Sequence, residues 1–234
     1  MLRKRTLLKS NTVNGNDSNT LLLLHFDSSL TNSAVGGTNV GNPVISDSYG
    51  YDTNDYKFGS ASFYSNVVVY FIGTTPEDTI RTAMQSNFTF DYWAKIDATS
   101  ETYPDICLLA DTTNQNQAIL TVSHYGYVIR TKSTANGGSS YMFNKVIDAT
   151  IYSVPGWNHY AYVRNGTNLT LYVNGNAVYT LYFNLTIPTT QQHVSFGGYY
   201  TGSSWNTTFN RFDEIRISNI ARWTANFTPP AAPY

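Results

Sequence analysis

Charge is scarce in this chain: only 12% of its 234 residues are Asp, Glu, Lys or Arg, about half the usual globular share. Fourteen basic residues against fifteen acidic ones leave a net charge of −1, so no general field draws in nucleic acid or an anionic membrane. A single cysteine, Cys107, excludes an internal disulfide; between Ile106 and Leu108 it reads as a small hydrophobe inside a strand. Long apolar runs are missing too. Leu21 to Leu24 is too short to span a bilayer and reads as a buried strand. Lys9, Ser10, Asn11 and Asn14 interrupt the N-terminal segment before it can form the apolar core of a signal peptide. These shortages predict no nucleic-acid partner, no membrane insertion and a neutral polar surface of Asn, Thr, Ser and Tyr.

Aromatic residues are abundant, with 19 Tyr and 12 Phe in a chain that is 41% hydrophobic. Such side chains favour the pleated surface of a sheet, which makes the fold class all-β. The length suits one sandwich or barrel. Leu21 to Phe26 reads as the first strand, and Ala61 to Phe63 with Val67 to Ile72 read as a hairpin. From Asn87 to Ile96 the chain alternates, placing Phe88, Phe90, Tyr92, Ala94 and Ile96 on one face and Thr89, Asp91, Trp93 and Lys95 on the other. Further strands are expected at Ile106 to Ala110, Ala118 to Ser123, Tyr125 to Lys132, Ser140 to Phe143, Val194 to Gly197 and Phe212 to Ser218. Between Trp157 and Leu181, Asn165-Gly166 and Asn174-Gly175 separate three alternating segments, the pattern of a β-meander with type I′ turns. Thr75-Pro76-Glu77-Asp78 opens one short helical turn.

Five blocks in order resemble the laminin-G-like, concanavalin A-like domains of bacteria and phages. They are Leu22 to Asp27, Lys57 to Phe63, Phe88 to Trp93, Gly156 to Arg164 followed by Leu171 to Gly175, and Phe212 to Ser218 followed by Ala221-Arg222-Trp223. The resemblance implies an antiparallel two-sheet jelly-roll sandwich over residues 20–227, its first and last strands adjacent. A basic, polar arm would precede it at 1–19, and a Pro-rich tail would follow at 228–234. It does not bring a function, because this sandwich serves lectins, glycosidases, adhesion modules and virion parts.

Glycosidases of this fold set two glutamates on one strand in a Glu-x-Asp-x-Glu run. Here the three glutamates are Glu77, Glu101 and Glu214, and Asp213 and Glu214 are neighbours on a strand, where side chains point to opposite faces. The four histidines show no metal spacing, and no Gly-x-Ser-x-Gly elbow is present. Catalysis is therefore not expected, and a glycoside hydrolase is the remote alternative. A structural calcium is a candidate, held by Asp27 and Asp213 at the ends of adjacent strands, with Asp47, Asp52, Asp55, Asp105 and Asp111 as other candidates; turn aspartates more often bond their own backbone. For sugar stacking the candidates are Tyr199, Tyr200 and Trp205, in a Gly/Ser/Asn-rich loop.

Two roles follow as expectations. The chain is a structural, decorating or adhesion component of a larger protein assembly, most plausibly a phage virion, contacting other subunits through Arg3, Lys4, Arg5, Lys9, Pro229 and Pro230. Alternatively it is a free-standing carbohydrate-binding module. The expected location is a virion or an extracellular surface.

Overall fold

A computed structural model describes residues 15–46, 50–71, 74–97, 104–111, 118–134, 141–184, 187, 191–200 and 204–234. Arg3, Lys4, Arg5, Lys9 and Asp47 lie outside these residues. In chain order the first strands are β1 (Thr20–Leu24), β2 (Val44–Ile45), β3 (Tyr51–Asp52), β4 (Ser62–Tyr64) and β5 (Val69–Tyr70), followed by helix α1 (Thr74–Met84). Next come β6 (Phe88–Lys95), β7 (Ile106–Asp111), β8 (Ala118–Tyr125), β9 (Val128–Thr134), β10 (Tyr141–Asp148) and β11 (Trp157–Asn165). The last are β12 (Asn168–Val173), β13 (Asn176–Tyr182), β14 (Gln191–Phe196), β15 (Gly198–Tyr200), β16 (Trp205–Thr207) and β17 (Arg211–Ser218).

Two large antiparallel sheets form the sandwich. One has the order β13-β12-β11-β6-β17-β4-β3, with β1 also paired to β17; the other runs β10-β9-β8-β7-β14-β5-β2. Leu24 lies opposite Ile215, so the first and last strands are adjacent, as the resemblance implied. Among the described residues no helix is long and apolar enough to cross a membrane.

Alternation along β6 decides which face is core. Phe88, Phe90, Tyr92 and Ala94 enter the buried cluster between the sheets together with Tyr160, Tyr162, Phe212, Leu108, Val122 and Phe196. The rings of Phe90 and Phe196 stack across the two sheets with centroids 6.2 Å apart. Each such side chain, fully buried, contributes roughly 1.5–3 kcal/mol. Asp105 is a buried polar group that is paired: its carboxylate accepts bonds from the His124 ring at 2.8 Å and from Asn210 Nδ2 at 2.8 Å. The Cys107 thiol is buried, and that burial pushes its pKa up to about 12, so it stays an unreactive hydrophobe.

Three local expectations are corrected. Ala61–Phe63 and Val67–Ile72 are not hairpin partners: β4 joins β17 in one sheet and β5 joins β14 in the other. Ser65 turns the chain from sheet to sheet, its amide and hydroxyl both bonding Asn210 O. The helix is 11 residues long instead of a single turn, because Ile80, Ala83 and Met84 give it an apolar face that the core buries. In the meander, Asn174 and Gly175 take the two positive φ values, 48° and 77°, that a type I′ turn needs, but at the other turn only Gly166 is positive, at 61°. That turn joins Asn165 to its partner Asn168 through Gly166-Thr167, with glycine at the first loop position as a type II′ turn requires.

Candidate functional site

The outer face of the eight-stranded sheet carries the densest set of ionisable groups among the described residues. The alternation of β6 sends Asp91 to this face, opposite Arg216 of β17 on one side and Ala161 of β11 on the other. Arg216 is fully buried and bonds both oxygens of Asp91, Nε to Oδ1 at 3.0 Å and Nη2 to Oδ2 at 3.1 Å. The Nε2 of His159 lies 3.3 Å from Asp91 Oδ2. Burial alone would raise the Asp91 carboxyl, but the Arg216 charge and the His159 bond outweigh it and hold the pKa at about 2. Burial lowers the pKa of His159 and keeps the ring neutral. With Nε2 as its donor, Nδ1 is left buried and without a partner.

The segment after β17 folds back over this face. Trp223 and Phe227 stack on each other 4.0 Å apart, and both meet the His159 ring edge-on at 5.8 Å. The amide of Phe227 donates to Gly175 O at 2.9 Å, and a Cβ on Gly175 would lie 1.8 Å from Phe227 O. Glycine is thus required there both by the turn and by the passing chain. Tyr234 completes the cover. Its hydroxyl donates to Asp91 Oδ2 and lies 3.1 Å from His159 Nε2, while the Arg216 guanidinium sits 3.6 Å over its ring. Its amide donates to Glu214 Oε2 at 3.0 Å. The tail residues Pro229 and Pro230 belong to this intramolecular cover, Pro229 beside Gly175 and Pro230 buried. Aromatic side chains anchor the tail that carries them to its own sheet.

At the other end of β17 the expectation for Asp213 and Glu214 is also overturned. The pairing of β17 with β6 shifts register between Asp213 and Arg216, and Glu214 takes a φ of 51°. This bulge turns both consecutive carboxylates to the outer side. Asp213 Oδ2 accepts the amides of Lys57 at 2.9 Å and Phe58 at 3.0 Å, and its Oδ1 is buried without a partner. Glu214 Oε1 bonds His25 Nδ1 at 2.7 Å. Burial pushes Asp213 up to about 7, the repulsion of Glu214 adding to it and the backbone amides of Phe58, Lys57 and Glu214 opposing it. The bond to Glu214 raises His25 against the effect of burial.

Asp27, the other candidate calcium ligand, turns to the loop that Asp213 holds: its Oδ1 accepts the Ser60 amide at 2.5 Å. The two aspartates thus clamp the loop of Lys57 to Ser60 from both ends. Asp52 and Asp55 are paired with Arg211 and Lys95. Among the described residues no group of three or more His, Cys, Asp or Glu side chains is arranged to hold a metal ion.

Of the three aromatics expected to stack on sugar, Tyr199 is 8% exposed and packs on Cys107, Ala110 and Ala118, across the outer face of the seven-stranded sheet. It is therefore not an open platform. Tyr200 and Trp205 pair through their backbones in the β15–β16 ribbon; their side chains lie outside the described residues.

A family model described as the concanavalin A-like lectin/glucanases superfamily matches residues 73–226. No curated protein matches the chain. Among solved structures, the binding domain of botulinum neurotoxin DC in complex with rat synaptotagmin II is 14% identical with a TM-score of 0.59, over 88% of this chain and 49% of that one. The same domain in complex with SialylT gives 16% and 0.57, over 88% and 49%. This chain therefore spans about half the length of those domains. The fourth domain of an extracellular arabinanase from Geobacillus stearothermophilus, in complex with arabinotriose, is 16% identical with a TM-score of 0.59, over 86% of this chain and 92% of that one.

Proposed function

This chain belongs to the concanavalin A-like lectin/glucanases superfamily, and from that premise we propose that it is a recognition module that binds glycan without cleaving it. The observation that carries this reading is the occupied outer face. Asp91 is engaged by Arg216, His159 and Tyr234, and Glu214 by His25 and the Tyr234 amide. An acid and a nucleophile or base must reach a scissile bond from two sides, and these carboxylates reach only their own chain. Two of the similar structures are complexes with SialylT and with arabinotriose, which supports glycan recognition, and one is a complex with the protein synaptotagmin II.

The test is affinity electrophoresis of the purified protein through gels containing neutral polysaccharides, with reducing ends assayed in parallel. Retardation by at least one polysaccharide, with no reducing ends above the blank, is the expected result. Released reducing ends, or free migration through every gel, would overturn the proposal.

A further inference from the structure

We infer that the ligand site is a cleft beside α1, and that it takes an uncharged saccharide; this rests on the recognition reading above and adds its location and ligand class. The cleft has a volume of about 600 Å³, within the ~300–1,000 Å³ range of small-ligand sites. The helix supplies one wall, Asp78, Thr79 and Thr82, continued by Ser86 in the bend that follows it. Asp78, Thr79 and Thr82 follow helical spacing and form one stripe, while Ile80 and Met84 turn to the core. Asn39 and Asn219 form the opposite wall, and Leu21 with Ala83 the apolar floor.

The sequence explains why these elements meet. Asn219 directly follows β17 and its amide donates to Asn19 O at 3.0 Å, which fixes it beside the start of β1. Asn39 is brought in by Gly36 and Gly37, where an added Cβ would lie 2.4 Å from Ser18 O and 2.6 Å from Leu21 O. Only glycine lets that loop lie so close on β1.

The lining chemistry selects the ligand. The amides of Asn39 and Asn219 and the hydroxyls of Thr82 and Ser86 each offer a donor and an acceptor, which matches a ligand whose hydroxyl groups do the same. Among the described lining residues the one charged side chain, Asp78, is an anion paired with Arg81 of the same helix, so these residues present no cation to a sialic acid or phosphate. Among the described residues no aromatic ring lines the cleft, so binding is led by hydrogen bonds, and fit in the cleft governs it more than stacking does.

The experiment is a glycan array of neutral and sialylated oligosaccharides probed with the full chain, with Asn39→Ala, with Thr82→Arg and with Trp205→Ala. Thermal unfolding checks that each variant is folded. Because Asn39 and Thr82 are exposed, these variants are expected to fold. The inference expects neutral glycans to bind the wild type, a loss of at least tenfold in Asn39→Ala and Thr82→Arg, and little change in Trp205→Ala. Loss confined to Trp205→Ala would overturn the cleft while leaving glycan recognition standing. Preference for sialylated glycans would overturn the ligand class, and an array with no bound glycan would sink the recognition reading itself.

Discussion

Asp91 and Asp213 stand on neighbouring strands of one sheet face, both fully buried, and they hold their protons oppositely. Asp91 faces the Arg216 guanidinium and is held at about 2; Asp213 has Glu214 beside it across a bulge and is pushed up to about 7. Burial acts on both in the same direction, so the neighbouring charge decides the outcome. In the regular part of β17, pairing sets a cation of one strand opposite an anion of the next. At the bulge the ladder breaks, and two consecutive acids come to the same side. The first arrangement anchors the tail; the second clamps the loop of Lys57 and Phe58 through its amides.

The largest way to break this contrast is Arg216→Leu. It leaves Asp91 buried without its cation, a change that costs about 3–5 kcal/mol, and urea unfolding should show a loss of that size. Adding Asp91→Leu should restore much of it, because the double variant no longer buries an unpaired charge. A single variant that loses under ~1 kcal/mol would mean that the pair does not organise this face.

Next in size is Asp213→Asn, which acts through pH. The folded value of about 7 lies above the ordinary 3.8, so the stability that Asp213 contributes is complete below pH 3.8 and is lost as pH rises through about 7. Asp91 does the reverse: its contribution is complete above 3.8 and is lost as pH falls through about 2. Unfolding midpoints from pH 4 to 8 should therefore converge for wild type and Asp213→Asn at pH 4. The variant should gain on the order of 2–4 kcal/mol by pH 8. Parallel curves across that range would show that Asp213 titrates as an ordinary carboxylate.

Much of the scaffold behind this contrast is legible in the residues. The alternation of Phe88 to Lys95 places Asp91 outside and Phe90 inside, and the Asn-Gly pairs locate the meander. The bulge is not legible: a glutamate at positive φ has no sequence signature, and period-two reading sends Glu214 to the wrong face. Nor is the returning tail, because Pro229, Pro230 and Pro233 read as extended chain and give no sign that Tyr234 will meet residues far upstream. The β4–β5 error has the same origin. Two short apolar runs around a turn look like a hairpin unless the distant partner of Ser65, Asn210, is known.

Tyr234→Phe is the smallest and most selective perturbation of the Asp91 end. It keeps the ring beneath Arg216 and removes only the hydroxyl shared by Asp91 and His159. Asp91 retains both bonds from Arg216, so the carboxylate stays paired and the cost should be about 1–2 kcal/mol. His159 Nε2 still has Asp91 Oδ2 at 3.3 Å, so it should stay neutral and donate there. The acid limb of the stability profile should consequently keep its shape and shift down as a whole. A steeper acid limb would instead assign part of the low Asp91 value to the tyrosine hydroxyl, making the tail a partner in setting that charge and not only its cover.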